Sequence, residues 1–387
     1  MKKVLAIVLA MMLILSAAAM AETVKIGVFE PASGDNGAGG KQEVLGIEYA
    51  HSLAPTVEVN GTVYDVELDI VDNQSQTDKA VSAAQTLVND KVAIVLGSYG
   101  SGVSMAGGDV FAENKTPAIG CSCTNPGVTL LCDYYWRVCF LDPFQGTVMA
   151  NFAKEEKNAN KAYVLTQVGD DYSTGLGFYF QQAFEALGGE VIAETFIEGN
   201  SDFTAFLTKA INEGCDFFFA PSSTTSASLI IDQAASATVT FPIAAGDTWE
   251  SSVILDAAKG KNVEVYCSTF FDENDDAAAA AEFVKGFKEW LNADAGNLNN
   301  NGGNDIVAAV SALGFDAYNV ALAAIEAAGS ADSKAIAEAL PGVTWDGVTG
   351  SIAFDEIGDA KKDMAYIKYA NPETGAFDFV KTQKVGE

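Results

Sequence analysis

The stretch VDNQSQTDKAVSAAQTLVNDKVAIVLGSYGSG, residues 71–102, decides the fold class. It opens on the last residue of an alternating strand predicted over 65–71. A helix follows over 77–89, with Thr77 as its start signal. Residues 92–96, VAIVL, form an uninterrupted apolar run of the kind that makes a buried strand. The Gly/Ser-rich turn Gly97-Ser98-Tyr99-Gly100-Ser101-Gly102 then leads into another helix that reaches about Asn114. Strand, helix, strand, turn and helix in that order are the elements of a parallel α/β sheet.

Working outward, the pattern repeats. Upstream lie a strand over 23–29 and a helix over 39–54, with Val44, Ile47 and His51 at helical spacing. Downstream a short strand covers 117–120. A second series follows: strands over 162–166, 190–196, 215–220, 242–245 and 263–268, with helices ending near Leu187, Asn212 and Ala235 between them. The segment Phe140-Leu141-Asp142-Pro143-Phe144 separates the two series. The tail carries helices over 277–291 and 305–328, an Asn/Gly-rich surface loop over 297–304, and strands over 351–354 and 364–369. The expected fold is α/β, with two doubly wound parallel-sheet lobes.

Composition narrows the function. The chain has 387 residues, enough for two lobes, and 49% hydrophobic with 10% aromatic residues excludes a disordered protein. Asp and Glu number 52 against 22 Lys and Arg, a net charge of −30 that argues against nucleic acid or an anionic membrane surface as partner. The one arginine is Arg137 and the one histidine is His51. A two-histidine metal site within the chain is therefore excluded, and a histidine-driven triad would have to rest on His51 alone. No nucleophile elbow or metal-ligand spacing is present, so no catalytic set, metal or cofactor is expected and the protein is not read as an enzyme. His51, on the apolar face of its helix, reads as a packed residue.

Residues 1–21 have the three parts of a secretory signal peptide: Lys2 and Lys3, an apolar run over 4–15, and the small-x-small site Ala19-Met20-Ala21. The apolar run is shorter than a membrane span, which needs roughly 20 residues. Export with cleavage near Glu22 is expected. Export permits disulfides. Six cysteines allow 15 pairings; the spacing of Cys121, Cys123, Cys132 and Cys139 fits no zinc pattern, and a local bridge such as Cys123 with Cys132 is the expectation.

In open parallel sheets ligands bind beyond the carboxyl ends of the strands. After the 92–96 strand come Ser98, Tyr99, Gly100 and Ser101 at a helix N-terminus, where free N–H groups and the helix dipole favour an anion. Ser101 could alternatively cap its own helix. The turn lacks the lysine and the G-x-G-x-x-G spacing of a nucleotide loop. Ser122 and Thr124 follow the 117–120 strand. Asp170, Asp171 and Tyr172 follow 162–166. Asp247 follows 242–245, with Trp249 close behind, and can pair with an ammonium group or cap the next helix.

Taken in order, these pieces resemble the branched-chain amino-acid-binding proteins of bacterial ABC importers, a group of type I periplasmic solute-binding proteins. The resemblance runs from Thr23 to about Phe379. It is carried by VKIGVFEPASGDNGAGG (24–40), by the stretch 71–102, by CTNPGVT and YYWRVCFLDPFQG within 123–146, by GDDYSTGLG (169–177), by AGDTWESS (245–252) and by VTGSIAFDEIGDAKKDMAYIKY (348–369). It implies a three-segment hinge, with lobe one formed by 22–141 plus 272–349 and lobe two by 142–271 plus 350–387. It also implies that a ligand carboxylate is held by Ser101, Ser122 and Thr124, and the ligand ammonium by Asp247 and Tyr172. The expected function is capture of a small amino acid in the periplasm by a monomer that delivers it to a membrane permease. A ligand-sensing module of the same fold, or a binder of urea, a short amide or an aromatic acid, is the alternative.

Overall fold

The computed structural model describes residues 22–384. The signal peptide expected over 1–21 lies outside the described residues. Among the described residues no helix is long and apolar enough to cross a membrane.

Two sheets organise the chain. In the first, β1 (Thr23–Glu30), β3 (Thr62–Asp72), β4 (Ile94–Leu96), β5 (Ala118–Gly120) and β6 (Tyr135–Arg137) run parallel, and β2 (Thr56–Val59) pairs antiparallel at the edge; the order is β2-β3-β1-β4-β5-β6. The β2–β3 hairpin turns on Asn60 and Gly61, both at positive φ, the backbone that a two-residue hairpin loop requires. The second sheet has the order β15-β14-β11-β10-β9-β7-β8. Here β7 (Lys161–Gln167), β8 (Glu190–Phe196), β9 (Phe217–Phe219), β10 (Ile243–Ala245) and β11 (Val265–Thr269) are parallel, while β14 (Met364–Asn371) and β15 (Ala376–Lys384) close one side antiparallel. Both sheets are thus parallel at their centres and mixed at an edge. The remaining pair, β12 (Thr344–Gly347) and β13 (Gly350–Ala353), is a hairpin of its own.

The central strands are short and buried on both faces because helices cover each side. In the first unit the helices Gly37–Leu53 and Ala309–Ala328 cross closely. A Cβ on Gly46 would lie 1.9 Å from the Ser311 carbonyl, and one on Gly314 2.4 Å from the Glu43 carbonyl, so glycine at both places permits the contact. In the second unit Phe180 stacks on Phe219 with ring centres 4.1 Å apart. The lone histidine is packed: His51 Nε2 contacts the Val66 carbonyl at 3.0 Å and its ring meets Tyr318 edge-on.

Two expectations are corrected and one helix is added. All six cysteines are free and buried, so the Cys123–Cys132 bridge is not formed. The segment after Leu141 is a helix, Asp142–Glu155, started by a proline in its first turn. The Asn/Gly-rich stretch is no plain surface loop: it contains the helix Ala295–Asn300, and Asn301 is fully buried. The Asn301 carboxamide accepts from Gln42 at 3.2 Å and donates to the carbonyls of Asn304 and Ile306.

Candidate functional site

One cavity collects residues from beyond the carboxyl ends of seven strands. Asn36 follows β1, Ser75 and Thr77 follow β3, Tyr99 to Val103 follow β4, and Ser122 follows β5. From the second unit come Gly169, Asp170 and Tyr172 after β7, Ser223 after β9, and Asp247 and Thr248 after β10. Counting its open mouth, the cavity has an empty volume of about 630 Å³. Hydrogen bonds fasten the two units around it. Asn125 Nδ2 donates to the Asp171 carbonyl at 2.8 Å, Thr224 Oγ1 to the Asp35 carbonyl at 3.0 Å, and the Ala309 N–H to Glu250 Oε2 at 3.0 Å.

Four of the five residues expected at the site, Ser101, Ser122, Tyr172 and Asp247, line this cavity. The fifth, Thr124, is fully buried behind it, with its side chain beside the Asp142 carboxyl.

The two capping alternatives are decided by geometry. Ser101 begins the helix Ser101–Asn114, whose start has no side-chain cap. Its Oγ accepts from the Asn125 N–H at 3.1 Å, which leaves the hydroxyl proton for the cavity. This helix directs its first N–H groups and its positive dipole end at the same space. Ser122 differs, because its hydroxyl already donates to Glu43 Oε2 at 2.6 Å. Asp247 opens a 3₁₀ turn, Asp247–Trp249, without capping it. Its Oδ1 instead accepts from Gln145 Nε2 at 2.9 Å and from the Tyr172 hydroxyl at 3.2 Å, and Tyr172 in turn accepts from Thr248 Oγ1 at 3.2 Å.

Electrostatically the cavity is acidic. Its charged lining residues are Asp170 and Asp247; no Lys or Arg is among them. Asp170 is occupied as a helix cap, accepting from the N–H groups of Tyr172 and Ser173. Asp247 is therefore the one carboxylate offered to a ligand. Burial pushes it up to about 7, against the hydrogen bonds from Gln145 and Tyr172 that favour its charged form. Asp142, just behind, is pushed up by burial to about 8. A buried carboxylate without a cation is costly, so this wall is complementary to a ligand that brings a positive charge.

Gln145 and Thr248 were not expected at the site. Gln145 lies on the Asp142–Glu155 helix, and the Asp-Pro pair that starts this helix was the available signal. Thr248 is adjacent to Asp247, but nothing in its spacing marks it.

A family model described as periplasmic binding protein matches residues 23–371. A Leu/Ile/Val-binding protein homolog of Brucella abortus is 28% identical, over 89% of this chain and 90% of the relative. Among solved structures, the leucine-binding protein LivK of Thermotoga maritima is 33% identical with a TM-score of 0.85, covering 94% of this chain and 99% of that one. The branched-chain amino-acid transporter substrate-binding protein LivJ of Streptococcus pneumoniae, in complex with isoleucine, is 27% identical with a TM-score of 0.80, covering 94% and 99%. On this sequence coverage and this fold, the chain belongs to the periplasmic binding proteins, in the branched-chain amino-acid-binding family.

Proposed function

We propose that this protein captures a branched-chain amino acid in the cavity between its two sheets and delivers it to an ABC permease. One observation carries the reading: a helix N-terminus with a free serine hydroxyl lies on one wall, and Asp247, a carboxylate hydrogen-bonded by Gln145 and Tyr172 with no Lys or Arg lining the cavity, lies on the other. That pairing matches the two ends of a zwitterion. Ser101 and the N–H groups of its helix take the ligand carboxylate, with Ser122 beside them. Asp247, held by Gln145 and Tyr172, takes the ammonium. Tyr99 and Val103 set the room for the side chain.

The two sheets support a division into lobes at 141/142, 271/272 and 349/350, with the three connections acting as hinge. The β12–β13 hairpin and the pairing of Arg137 with Asp359 favour placing the third crossing slightly later, between Ala360 and Met364. The relatives' names support import as the role. The signal-peptide pattern supports export with cleavage before Glu22, and the protein acts as a monomer.

A thermal-shift screen tests the ligand. The mature chain is unfolded and refolded to strip bound solute, then melted with the common amino acids, urea, short amides and aromatic carboxylates. Leucine, isoleucine or valine raises the melting temperature by mass action. A shift given only by a non-zwitterion contradicts the ammonium site.

A further inference from the structure

Behind the wall that receives the ligand's anionic end lie two buried glutamates. Glu30 ends β1 and Glu43 sits in the helix Gly37–Leu53; they are 1% and 0% exposed. Their carboxyl oxygens and the Cys121 thiol lie within 4.8 Å of one another. Each carboxyl holds one piece of the cavity wall. Glu30 Oε2 accepts from the Tyr99 N–H at 2.6 Å, and Glu43 Oε2 accepts from the Ser122 hydroxyl at 2.6 Å. The other oxygens, Glu30 Oε1 and Glu43 Oε1, are buried, and among the described residues the groups at hand for them are the opposite carboxyl and the Cys121 thiol. Gly97 closes the space, since a Cβ there would lie 2.4 Å from Glu30 Oε1.

Two carboxylates this close and this buried cannot both be ionised. The groups that face them carry no positive charge: Cys121 and Cys123 beyond β5, Tyr99 beyond β4, Tyr135 on β6 and Asp247 beyond β10. We propose that Glu30 and Glu43 are positioning residues, sharing one proton in a hydrogen-bonded chain that runs from the Tyr99 amide to the Ser122 hydroxyl and so braces the wall of the ligand cavity. Burial, and then the charge of Glu43, push Glu30 well above the usual carboxylate range; burial pushes Glu43 up as well. The shared proton bridges the two carboxyls, and Glu43 Oε2 stays the acceptor for Ser122. Removing the proton sets two negative charges against each other and releases the wall.

The link to binding rests on the ligand reading above, but the shared proton does not, and the test separates them. Ligand-free protein labelled with ¹⁵N-tyrosine is titrated from pH 5 to 10, with the Tyr99 amide identified by its loss in Tyr99→Phe. The Tyr99 amide shift is expected to move in a step above the ordinary carboxylate range. In Glu43→Gln, whose amide donates permanently to Glu30, the step moves down toward that range. With L-leucine as probe, Glu43→Ala loses at least tenfold in affinity and Glu43→Gln recovers most of it. A Tyr99 amide that ignores pH overturns the proposal. So does equal loss in the two variants, or a stoichiometric divalent cation in the native mass spectrum of the wild type that is absent from Glu43→Gln. If leucine does not bind the wild type at all, the ligand assignment fails, while the Tyr99 titration still decides the proton.

Discussion

At the scale of single residues, the proposed ligand choice turns on Asp247. Burial pushes its carboxyl up to about 7, outweighing the donors Gln145 and Tyr172. The sign follows from linkage. Below about pH 7 the group is protonated, and an arriving ammonium must displace that proton. Leucine affinity is therefore expected to fall as pH drops below about 7, approaching tenfold per pH unit, with proton release visible by calorimetry in two buffers of different ionisation enthalpy. Asp247→Asn is expected to bind roughly 100-fold more weakly, from loss of a charge-assisted contact in a dry site, and to show no such slope. The residues that sequence revealed here are those that directly follow strands: Ser101, Ser122, Tyr172 and Asp247. What it could not reveal is side-chain direction. Thr124 follows the same strand as Ser122, yet turns toward Asp142. Ser122 reaches the cavity with its hydroxyl proton already committed to Glu43.

Among elements, the loop 121–126 that carries Ser122 is fixed by the only arginine in the chain. Arg137 is fully buried at the edge strand β6. It pairs with Asp359 through Nε at 2.5 Å and donates to the carbonyls of Cys123 and Asn125 and to Thr129 Oγ1. Its planar fork serves four acceptors at once, which lysine cannot do. Arg137→Met leaves the buried Asp359 without a cation, with the Thr129 hydroxyl as its remaining side-chain donor, and a loss of about 3–5 kcal/mol in urea unfolding is expected. Helices and buried strands were legible at this scale; the helix Thr77–Asn89 coincides with its predicted range, and so does the edge strand Glu190–Phe196. Two other edges were not. The strand β2 was overlooked although Asn60-Gly61 is a hairpin signal, and β15 was overlooked because its exposed face gives no clean alternation. Edge strands bury only part of their surface, so less of their sequence is constrained.

For the molecule as a whole, the correction at the cysteines has a direct consequence. Stability is expected to owe nothing to a disulfide, so reductant should leave the melting temperature unchanged. A thiol reagent should titrate six groups in denaturant and almost none in the native protein, where all six are buried. The buried acids set the pH response. Asp142, Asp170 and Asp247 stand at about 8, 6 and 7 in the folded chain. Because these values are raised, the unfolded state releases its protons first as pH rises from about 4 upward. Stability of the ligand-free protein should be greatest below about pH 4 and decline from there, each group costing about 1.4 kcal/mol per pH unit until its folded value of about 8, 6 or 7 is passed. Asp142→Asn should flatten the upper part of the decline in a series of melts. Two-lobe architecture was legible because each βαβ unit announces itself locally. The pairing of distant segments was not: Asp359 on Arg137 and Glu250 on Ala309 bring together residues that no local pattern links.

Calorimetry of the refolded mature protein with L-leucine, set against 4-methylpentanoate, which has the same side chain and carboxylate but no ammonium, addresses the central claim most directly. Saturable one-to-one binding of leucine is expected at pH 8, with affinity at least 100-fold weaker for the deaminated acid, because the charge-assisted contact with ionised Asp247 is then missing. Equal affinity for the two, or binding of the acid alone, would contradict it.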